Sequence, residues 1–167
     1  MPKPIAVVAL AASLLGACVA NVNTTALPQM ASADIDAFPP SKVLSQSNVA
    51  PAVESWGEFY PYFTADTPAT RNHLTGVAVI RPGQEIHPPH RHSEEEVLMV
   101  LEGEGTWSLL GEDFPAKTGD ILYAKPWDIH GIRNTGTTDL RFIVVKYDPA
   151  GLTPPPDPNP ELGEFGR

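Results

Sequence analysis

The amino-acid sequence predicts an all-β fold, and three observations support this prediction. Turn-forming residues are abundant, with 19 prolines and 13 glycines among 167 residues. β-Branched residues are common, and no long segment shows the apolar period of about 3.6 residues that marks an amphipathic helix. Turn signals recur about every eight to twelve residues and separate roughly eight short strands, a pattern typical of a sandwich or a barrel.

The N-terminal segment 1–17 has the composition of a secretory signal peptide. It has a positive charge at Lys3, an almost wholly apolar run over 5–15 and small residues before Cys18. The apolar run is too short to cross a bilayer as a helix, whereas it fits the central region of a signal peptide. A short core helix is the alternative interpretation of the same run.

The end of this segment, Leu15-Gly16-Ala17-Cys18, resembles the lipobox of bacterial lipoproteins. In that family a signal peptidase cuts before the cysteine, which is then lipidated. The resemblance implies a lipid anchor at Cys18 on the periplasmic face of a bacterial membrane, and several acyl chains anchor a protein firmly. Val19, a residue other than Asp, favours the outer membrane. The alternative is an ordinary cleavage near Ala20, which would leave a soluble periplasmic protein.

Two extended segments are expected to lead into the main domain. Residues 18–51 are rich in small and polar residues without an apolar rhythm, so we predict a flexible tether. Residues 52–71 begin with a dense aromatic group in an otherwise aromatic-poor chain. We expect this segment to be an extended arm that packs on the main sheet. Its aromatic residues are Trp56, Phe59, Tyr60, Tyr62 and Phe63.

The main domain is predicted to span residues 72–147. Its expected strands are 74–81, 84–92, 97–101, 106–110, 114–117, 121–124, 129–133 and 140–146. The strands at 97–101 and 140–145 are apolar on both faces, whereas one face of a lone antiparallel sheet is usually polar. We therefore expect the arm, a second subunit in a homodimer, or both to cover the outer face.

The C-terminal tail 148–167 is rich in proline, with six prolines between Asp148 and Pro160. Proline lacks the N–H that a central strand needs and favours polyproline II, so we expect a tail that is disordered or draped over the surface. Recognition by another protein is the alternative.

Charge and cysteine content limit the possible partners. The formal net charge is -9, which disfavours binding to the phosphates of nucleic acid. Because Cys18 is the only cysteine, intramolecular disulfides and four-cysteine zinc sites are excluded. Any metal must therefore be held by histidine and carboxylate side chains.

Histidines at two places in the chain suggest such a site. In an extended strand, His90 and His92 face the same side while Arg91 faces away. Carboxylates follow after a short turn, at Glu94–Glu96, and His130 lies forty residues beyond His90. Imidazoles and a carboxylate on one face are suitable ligands for a divalent metal ion.

The stretch from Gly83 to Gly103 resembles the first conserved motif of the cupin superfamily. That motif is a glycine, His-x-His, a glutamate three or four residues later and a second glycine after six more. His90, His92, Glu96 and Gly103 match it, although the gap after Gly83 is one residue longer than usual.

The stretch from Gly119 to Asn134 resembles the second cupin motif, and His130 and Asn134 stand at the matching spacing. The proline and the inner glycine of that motif are replaced by Lys125 and Trp127. We interpret Asn134 as a residue that hydrogen-bonds a turn, and we expect the two replacements to alter the loop at the mouth of the barrel.

This resemblance implies a cupin fold, a jelly-roll-like double-sheet β-barrel, and one divalent metal ion. The implied ligands are His90, His92, Glu96 and His130, and they leave one or two coordination positions open, as a catalytic site requires. Iron, manganese, zinc, nickel and copper are not distinguished. A metal-free barrel is the alternative.

Glu96 is favoured among the three glutamates because it has the cupin spacing and is in phase with Leu98 and Val100 on the inward face. Glu95 has the opposite parity and Glu94 falls in the turn, so we interpret both as exposed, solubilising charges.

Six further residues are candidates for a pocket above the metal. His87 is either a rim residue or a proton shuttle. Arg81, Arg133 and Tyr123 are candidates for a further polar group, while Met99 and Trp127 line either the pocket or the core. The sequence favours a metal-dependent enzyme acting on a small organic molecule as a dioxygenase, isomerase or lyase. The alternative is a lipoprotein that binds or senses a small ligand without turning it over.

Overall fold

Nine antiparallel strands form the domain in the computed structural model, which describes residues 32–164. Short 3-10 helices lie at Ile35–Ala37, Gln46–Asn48 and Pro160–Leu162. The strands are β1 (Ala52–Glu54), β2 (Gly57–Phe63), β3 (Thr70–Ile80), β4 (Glu95–Glu102), β5 (Glu104–Leu109), β6 (Glu112–Lys117), β7 (Ile121–Ala124), β8 (His130–Arg133) and β9 (Leu140–Pro149). The all-β prediction is confirmed.

Two sheets enclose the core. A six-stranded sheet has the order β1-β2-β3-β9-β4-β7, and a three-stranded sheet has the order β6-β5-β8. The inward residues of both sheets form one apolar cluster, in which Ile80, Val100 and Leu140 are fully buried and Trp107 and Phe142 are nearly so. Burial of each such side chain stabilises the fold by about 1.5–3 kcal/mol. This arrangement confirms the double-sheet barrel.

Strand parity decides which side chains face the interior. On β4, Glu96, Leu98 and Val100 are buried, while Met99 between them is exposed. On β9, every second residue from Leu140 onwards is buried as far as Val144. The inward phase predicted for Glu96 is therefore correct.

The predicted strand over 84–92 is only partly formed. Glu85 pairs with Arg133 and His90 pairs with His130, both as isolated bridges outside the named strands. The prolines Pro88 and Pro89 interrupt the ladder because they have no N–H to donate. The segment nevertheless continues the three-stranded sheet beyond β8.

The aromatic arm is extended and packs on the barrel from its edge, and it leaves the outer face of the sheet uncovered. Residues 52–63 form β1 and β2, which extend the edge of the six-stranded sheet because β2 pairs with β3. Phe59 and Trp56 pack against the core from this edge. As a result, outward apolar side chains remain exposed in the single chain, among them Met99, Leu101, Ile121 and Tyr123.

The segments flanking the barrel contact it at specific points. From the described part of the predicted tether, Gln46 accepts a hydrogen bond from Arg141, and the Lys42 ammonium lies 5.5 Å from the centre of the Phe63 ring. The described part of the tail lies against Arg91 and Trp127.

The predicted signal peptide and Cys18 lie outside the described residues. Within residues 32–164, the structure contains no helix that is long and apolar enough to cross a membrane.

Candidate metal centre

Backbone pairing places His90 directly opposite His130. The His90 N–H donates to the His130 carbonyl oxygen at 2.9 Å, and the His130 N–H donates to the His90 carbonyl oxygen at 2.9 Å. Directly paired residues on neighbouring extended segments present their side chains to the same face. The two ring centres are 4.9 Å apart.

His92 completes a cluster of three imidazoles. Its ring centre lies 5.0 Å from that of His90 and 4.9 Å from that of His130. One nitrogen of each ring lies within 4.8 Å of the corresponding nitrogens of the other two. The structure therefore brings together the three histidines singled out by the sequence, and these three residues could hold a metal ion.

Glu96 supplies a carboxylate to the same cluster. Its Oε2 lies 3.1 Å from His92 Nε2, and its Oε1 lies 3.6 Å from His130 Nε2. Burial alone would raise the pKa of this carboxyl group, but the contacts with His130 and His92 outweigh burial and hold the pKa well below its usual range. Glu96 therefore stays ionised and adds a carboxylate to the three imidazoles. We refer to His90, His92, Glu96 and His130 as the four-residue cluster.

Neighbouring groups orient two of the imidazoles. His130 Nδ1 donates to the Asp128 carbonyl oxygen at 2.8 Å, which leaves Nε2 as the acceptor that faces the cluster. His92 Nδ1 lies 3.2 Å from Glu94 Oε2, so its Nε2 also faces Glu96. A hydrogen bond such as that of His130 fixes the tautomer of a ligand histidine and raises its basicity.

Glu94 is not the exposed solubilising charge that the sequence suggested. Its side chain is only 13% exposed and also lies 3.4 Å from Lys146 Nζ. The turn at Glu94 brings the carboxylate back towards His92 and Lys146, within 3.2 Å of His92 Nδ1 and 3.4 Å of Lys146 Nζ. Glu95 does point away from the cluster and accepts a hydrogen bond from the Tyr123 hydroxyl at 3.1 Å.

The donor set fits a divalent metal ion. In the described part of the chain, the buried Nε2 of His130 has no hydrogen-bond partner, although it faces the Glu96 carboxylate. The pKa of His90 is lowered to about 3, because burial disfavours the imidazolium and the nearby His87 and His130 add repulsion. His90 is consequently neutral near pH 7 and can offer a lone pair to a metal.

A cavity of about 370 Å³ opens above the four-residue cluster. Strands of both sheets, the segment before His90 and the β1–β2 hairpin line it, so the hairpin contributes to the site as well as to the sheet edge. The walls are mainly apolar and include Trp56, Phe59, Leu74, Ile86, Leu98, Phe142 and Val144. The polar or charged lining residues are Glu54, His87, His90, Glu96, His130 and Lys146.

His87 is the predicted pocket residue that the structure places at this cavity. Its ring centre lies 4.0 Å from that of His90, and its Nδ1 lies 3.0 Å from the Pro88 carbonyl oxygen. When Nδ1 carries the proton and donates to this carbonyl, Nε2 is the acceptor of the ring.

The other predicted pocket residues do not line this cavity. Tyr123 and Met99 have outward parity and are 55% and 38% exposed. The Arg81 side chain donates to the carbonyl oxygens of residues 54 and 55 on the outside of the hairpin. The exposed Arg133 side chain donates to the Gly83 carbonyl oxygen at 3.4 Å.

Trp127 supports the ligand segment instead of lining the cavity. Its N–H donates to the His92 carbonyl oxygen at 2.8 Å, and its indole N–H donates to the Pro155 carbonyl oxygen at 2.7 Å. Its backbone φ of 69° is in the left-handed region that glycine adopts most easily, so these contacts offset local strain. Lys125 is largely exposed and pairs with Asp128 at 3.5 Å. The loop therefore holds the tail, and the mouth of the cavity lies elsewhere.

Lys146 is the cavity residue that the sequence did not single out. It pairs directly with Glu96 across β9 and β4 and follows the inward phase of Phe142 and Val144. The sequence did contain a signal for this residue, since a lysine stands at a position where the inward-facing pattern of β9 would otherwise have an apolar residue.

Comparison with known proteins agrees with this architecture. The family profile described as a cupin domain matches residues 76–146. An uncharacterised protein from Methanocaldococcus jannaschii is 31% identical over 100 residues, which are 53% of this chain and 80% of that protein. The chain belongs to the cupin superfamily.

Other similar cupins bear functional names. An oxalate-binding protein from Thermotoga maritima is 38% identical over 64 residues, which are 38% of this chain and 53% of that protein. A 5-nitrosalicylic acid 1,2-dioxygenase from Bradyrhizobium sp is 33% identical over 70 residues, which are 42% of this chain and 33% of that enzyme. These matches thus span only about half or less of the named relatives.

A solved structure has the same fold. The crystal structure of a predicted oxalate decarboxylase from Thermotoga maritima superposes with a TM-score of 0.55 and 26% identity, covering 64% of this chain and 98% of that one. Cupins related to this chain thus include both binding proteins and dioxygenases, and cupins usually bind a metal.

Proposed function

We propose that this cupin is a metal-dependent enzyme that acts on a small organic molecule, as a dioxygenase, isomerase or lyase. The observation that carries the proposal is the position of the four-residue cluster. His90, Glu96 and His130 lie at the wall of a mainly apolar cavity of about 370 Å³, and His92 belongs to the same imidazole cluster. A cavity of this kind can enclose a small molecule beside the metal ligands.

Each group in the cavity has a defined part in this proposal. His90, His92, Glu96 and His130 would hold one divalent ion, which when bound supplies Lewis-acid or redox chemistry at its open positions. His87 is the candidate proton acceptor, since it lines the cavity beside His90. The apolar walls exclude water and so strengthen electrostatic interactions with a bound ligand.

Product formation tests the enzymatic role. Protein of measured metal content is incubated with a panel of hydroxy acids, catechols and sugars, and products are identified by mass spectrometry. We expect turnover of at least one class by the wild type and none by His92→Ala, which loses a ligand. A metal-loaded wild type that binds a panel member but never transforms it contradicts the proposal.

A binding or sensing role is the second candidate. The name of the Thermotoga maritima oxalate-binding protein favours it. If the protein only binds its ligand, a His92→Ala variant that has lost its metal keeps its ligand affinity. If the metal takes part in catalysis, ligand affinity and turnover fall together.

We also propose that the protein acts outside the cytoplasm as a lipoprotein anchored through Cys18, with soluble periplasmic protein as the alternative. The support comes from the signal-like composition of residues 1–17 and from the lipobox-like residues before the only cysteine. Membrane fractionation tests this directly. The wild type should sediment with membranes, and Cys18→Ser should not; equal distribution of the two proteins contradicts the anchor.

A further inference from the structure

We propose that Lys146 makes the cavity selective for a small monocarboxylate with an apolar or aromatic body. This inference rests on the proposed function, because it names the class of molecule that the same cavity takes. It requires a cation at the site, free donors on that cation and walls that suit an apolar body.

The first requirement is met by the register of the six-stranded sheet. Lys146 on β9 lies directly opposite Glu96 on β4, and both side chains face the cavity. Directly opposed residues are close neighbours on one face of a sheet. The Lys146 side chain is 24% exposed, so its ammonium lies at the cavity wall rather than in open solvent.

The second requirement concerns the hydrogen bonds of the ammonium. Lys146 Nζ lies 3.4 Å from Glu94 Oε1, and the same carboxylate also faces His92 Nδ1. An ammonium group has three N–H donors, so one contact with Glu94 leaves donors for a ligand carboxylate.

The third requirement concerns the rest of the cavity wall. Trp56, Phe59 and Phe142 supply aromatic surface, and aliphatic side chains such as Leu74 and Val144 supply further apolar surface. When a sugar lies against this apolar surface, its hydroxyl groups lose their hydrogen bonds to water, and the apolar side chains offer none in return. Lys146 is the one lysine or arginine among the described lining residues, so it can compensate one carboxylate, whereas a second negative charge would face Glu54 and Glu96 without compensation. One carboxylate on an apolar body therefore fits better than a polyol or a dicarboxylate.

Ligand titration with three simple probes tests the inference. Benzoate carries the carboxylate and the apolar body, benzyl alcohol lacks the charge, and oxalate lacks the body. Affinities are measured by calorimetry for the wild type, Lys146→Met, Lys146→Arg and Lys125→Met, with metal content and thermal unfolding recorded for each protein. Lys125→Met is the matched control because Lys125 is 64% exposed outside the cavity.

We expect the wild type to bind benzoate about tenfold or more tighter than benzyl alcohol, since a charged hydrogen bond is lost with the alcohol. Lys146→Met should lose this preference with metal content unchanged, while Lys146→Arg and Lys125→Met keep it. Equal wild-type affinities for the two probes, or a preference that survives in folded Lys146→Met, would overturn the inference. Tighter binding of oxalate than of benzoate would overturn the inference that the ligand has an apolar body.

Failure of the proposed function has a different signature. A protein that shows the benzoate preference and its dependence on Lys146 but turns over no substrate would refute the enzymatic role alone. A protein that turns over a substrate without any preference for benzoate would refute the present inference alone.

Discussion

Individual residues decide which atoms face the metal site. His92 and His130 each have Nδ1 engaged, by the Glu94 carboxylate and the Asp128 carbonyl respectively, so that each Nε2 faces Glu96. The sequence predicted the four clustered residues because their spacing and parity are local properties. It misjudged Glu94 because a residue in a turn has no strand parity, and its partner Lys146 is distant in sequence.

Replacement of Glu94 by glutamine tests the role assigned to this residue. We expect metal affinity to fall by about 10- to 100-fold, because the acceptor that orients His92 becomes weaker. The measurement is competition against a chelator of known affinity. Glu95→Gln is the matched control, since Glu95 contacts Tyr123 outside the cavity and should leave metal affinity unchanged. Equal affinity of the two variants would contradict a role for Glu94 in orienting His92.

In metal-free protein, the pKa values of the directly paired His90 and His130 should be shifted in opposite directions from the usual histidine value. The pKa of His90 is lowered to about 3, chiefly by burial. Burial also opposes the charge on His130, but the Glu96 carboxylate outweighs it and raises the pKa of His130. As the pH falls, His130 should therefore gain its proton before His90.

Nuclear magnetic resonance can follow both imidazoles through a pH titration of metal-free protein. The urea-unfolded chain is the control, because both histidines should then titrate at their usual value of about 6.5. A folded protein in which His90 gains its proton before His130 as the pH falls would contradict the described geometry.

At the scale of elements, the C-terminal tail fastens the segment that carries the ligands. Arg91, between two ligand histidines, faces away from the cavity and is almost completely buried. Its guanidinium forms an ion pair with Asp157 and lies 5.4 Å from the centre of the Trp127 ring, and its backbone N–H donates to the Glu164 carbonyl oxygen at 2.8 Å. The tail thus shields a buried charge next to the metal cluster.

Replacement of Asp157 by asparagine tests this fastening. We expect the free energy of unfolding to fall by about 1–3 kcal/mol, because the buried guanidinium loses its charged partner. Metal affinity should fall as well, since Arg91 lies between His90 and His92. Urea unfolding and chelator competition measure the two effects.

The control for this experiment is Asp66→Asn. Asp66 lies 3.8 Å from Arg71, but both side chains are more than half exposed, at 51% and 67%. A pair of this kind contributes no more than about 1 kcal/mol. If Asp157→Asn costs no more stability than Asp66→Asn, the tail does not fasten the ligand segment.

The sequence predicted strands and turns most accurately where neighbouring residues in the chain determine the backbone conformation. Gly103, the second glycine of the first motif, lies between β4 and β5, where its φ of 82° and the nearby Asp139 carbonyl oxygen, with which a Cβ would clash, explain the need for glycine. The edge position of the arm was not predicted, because pairing between β2 and β3 depends on contacts between residues that no local pattern records. The partial strand before His90 was overestimated because Pro88 and Pro89 interrupt its ladder.

At the scale of the whole molecule, the site depends on both sheets and on the hairpin at the sheet edge. The predicted barrel was recognisable from its two motifs, but the cavity walls combine residues far apart in the sequence, such as Trp56, Ile86 and Phe142. The outer face retains exposed apolar residues, including Ile121 and Tyr123. A homodimer that covers this face stays a prediction.

Metal analysis tests the central claim most directly. Protein purified from its native compartment, without added metal or chelator, is analysed by mass spectrometry for transition metals. The four-residue cluster predicts about one equivalent of divalent metal per chain, and it predicts that His92→Ala loses most of it. Less than about a tenth of an equivalent of every transition metal in the folded wild type would contradict the metal centre.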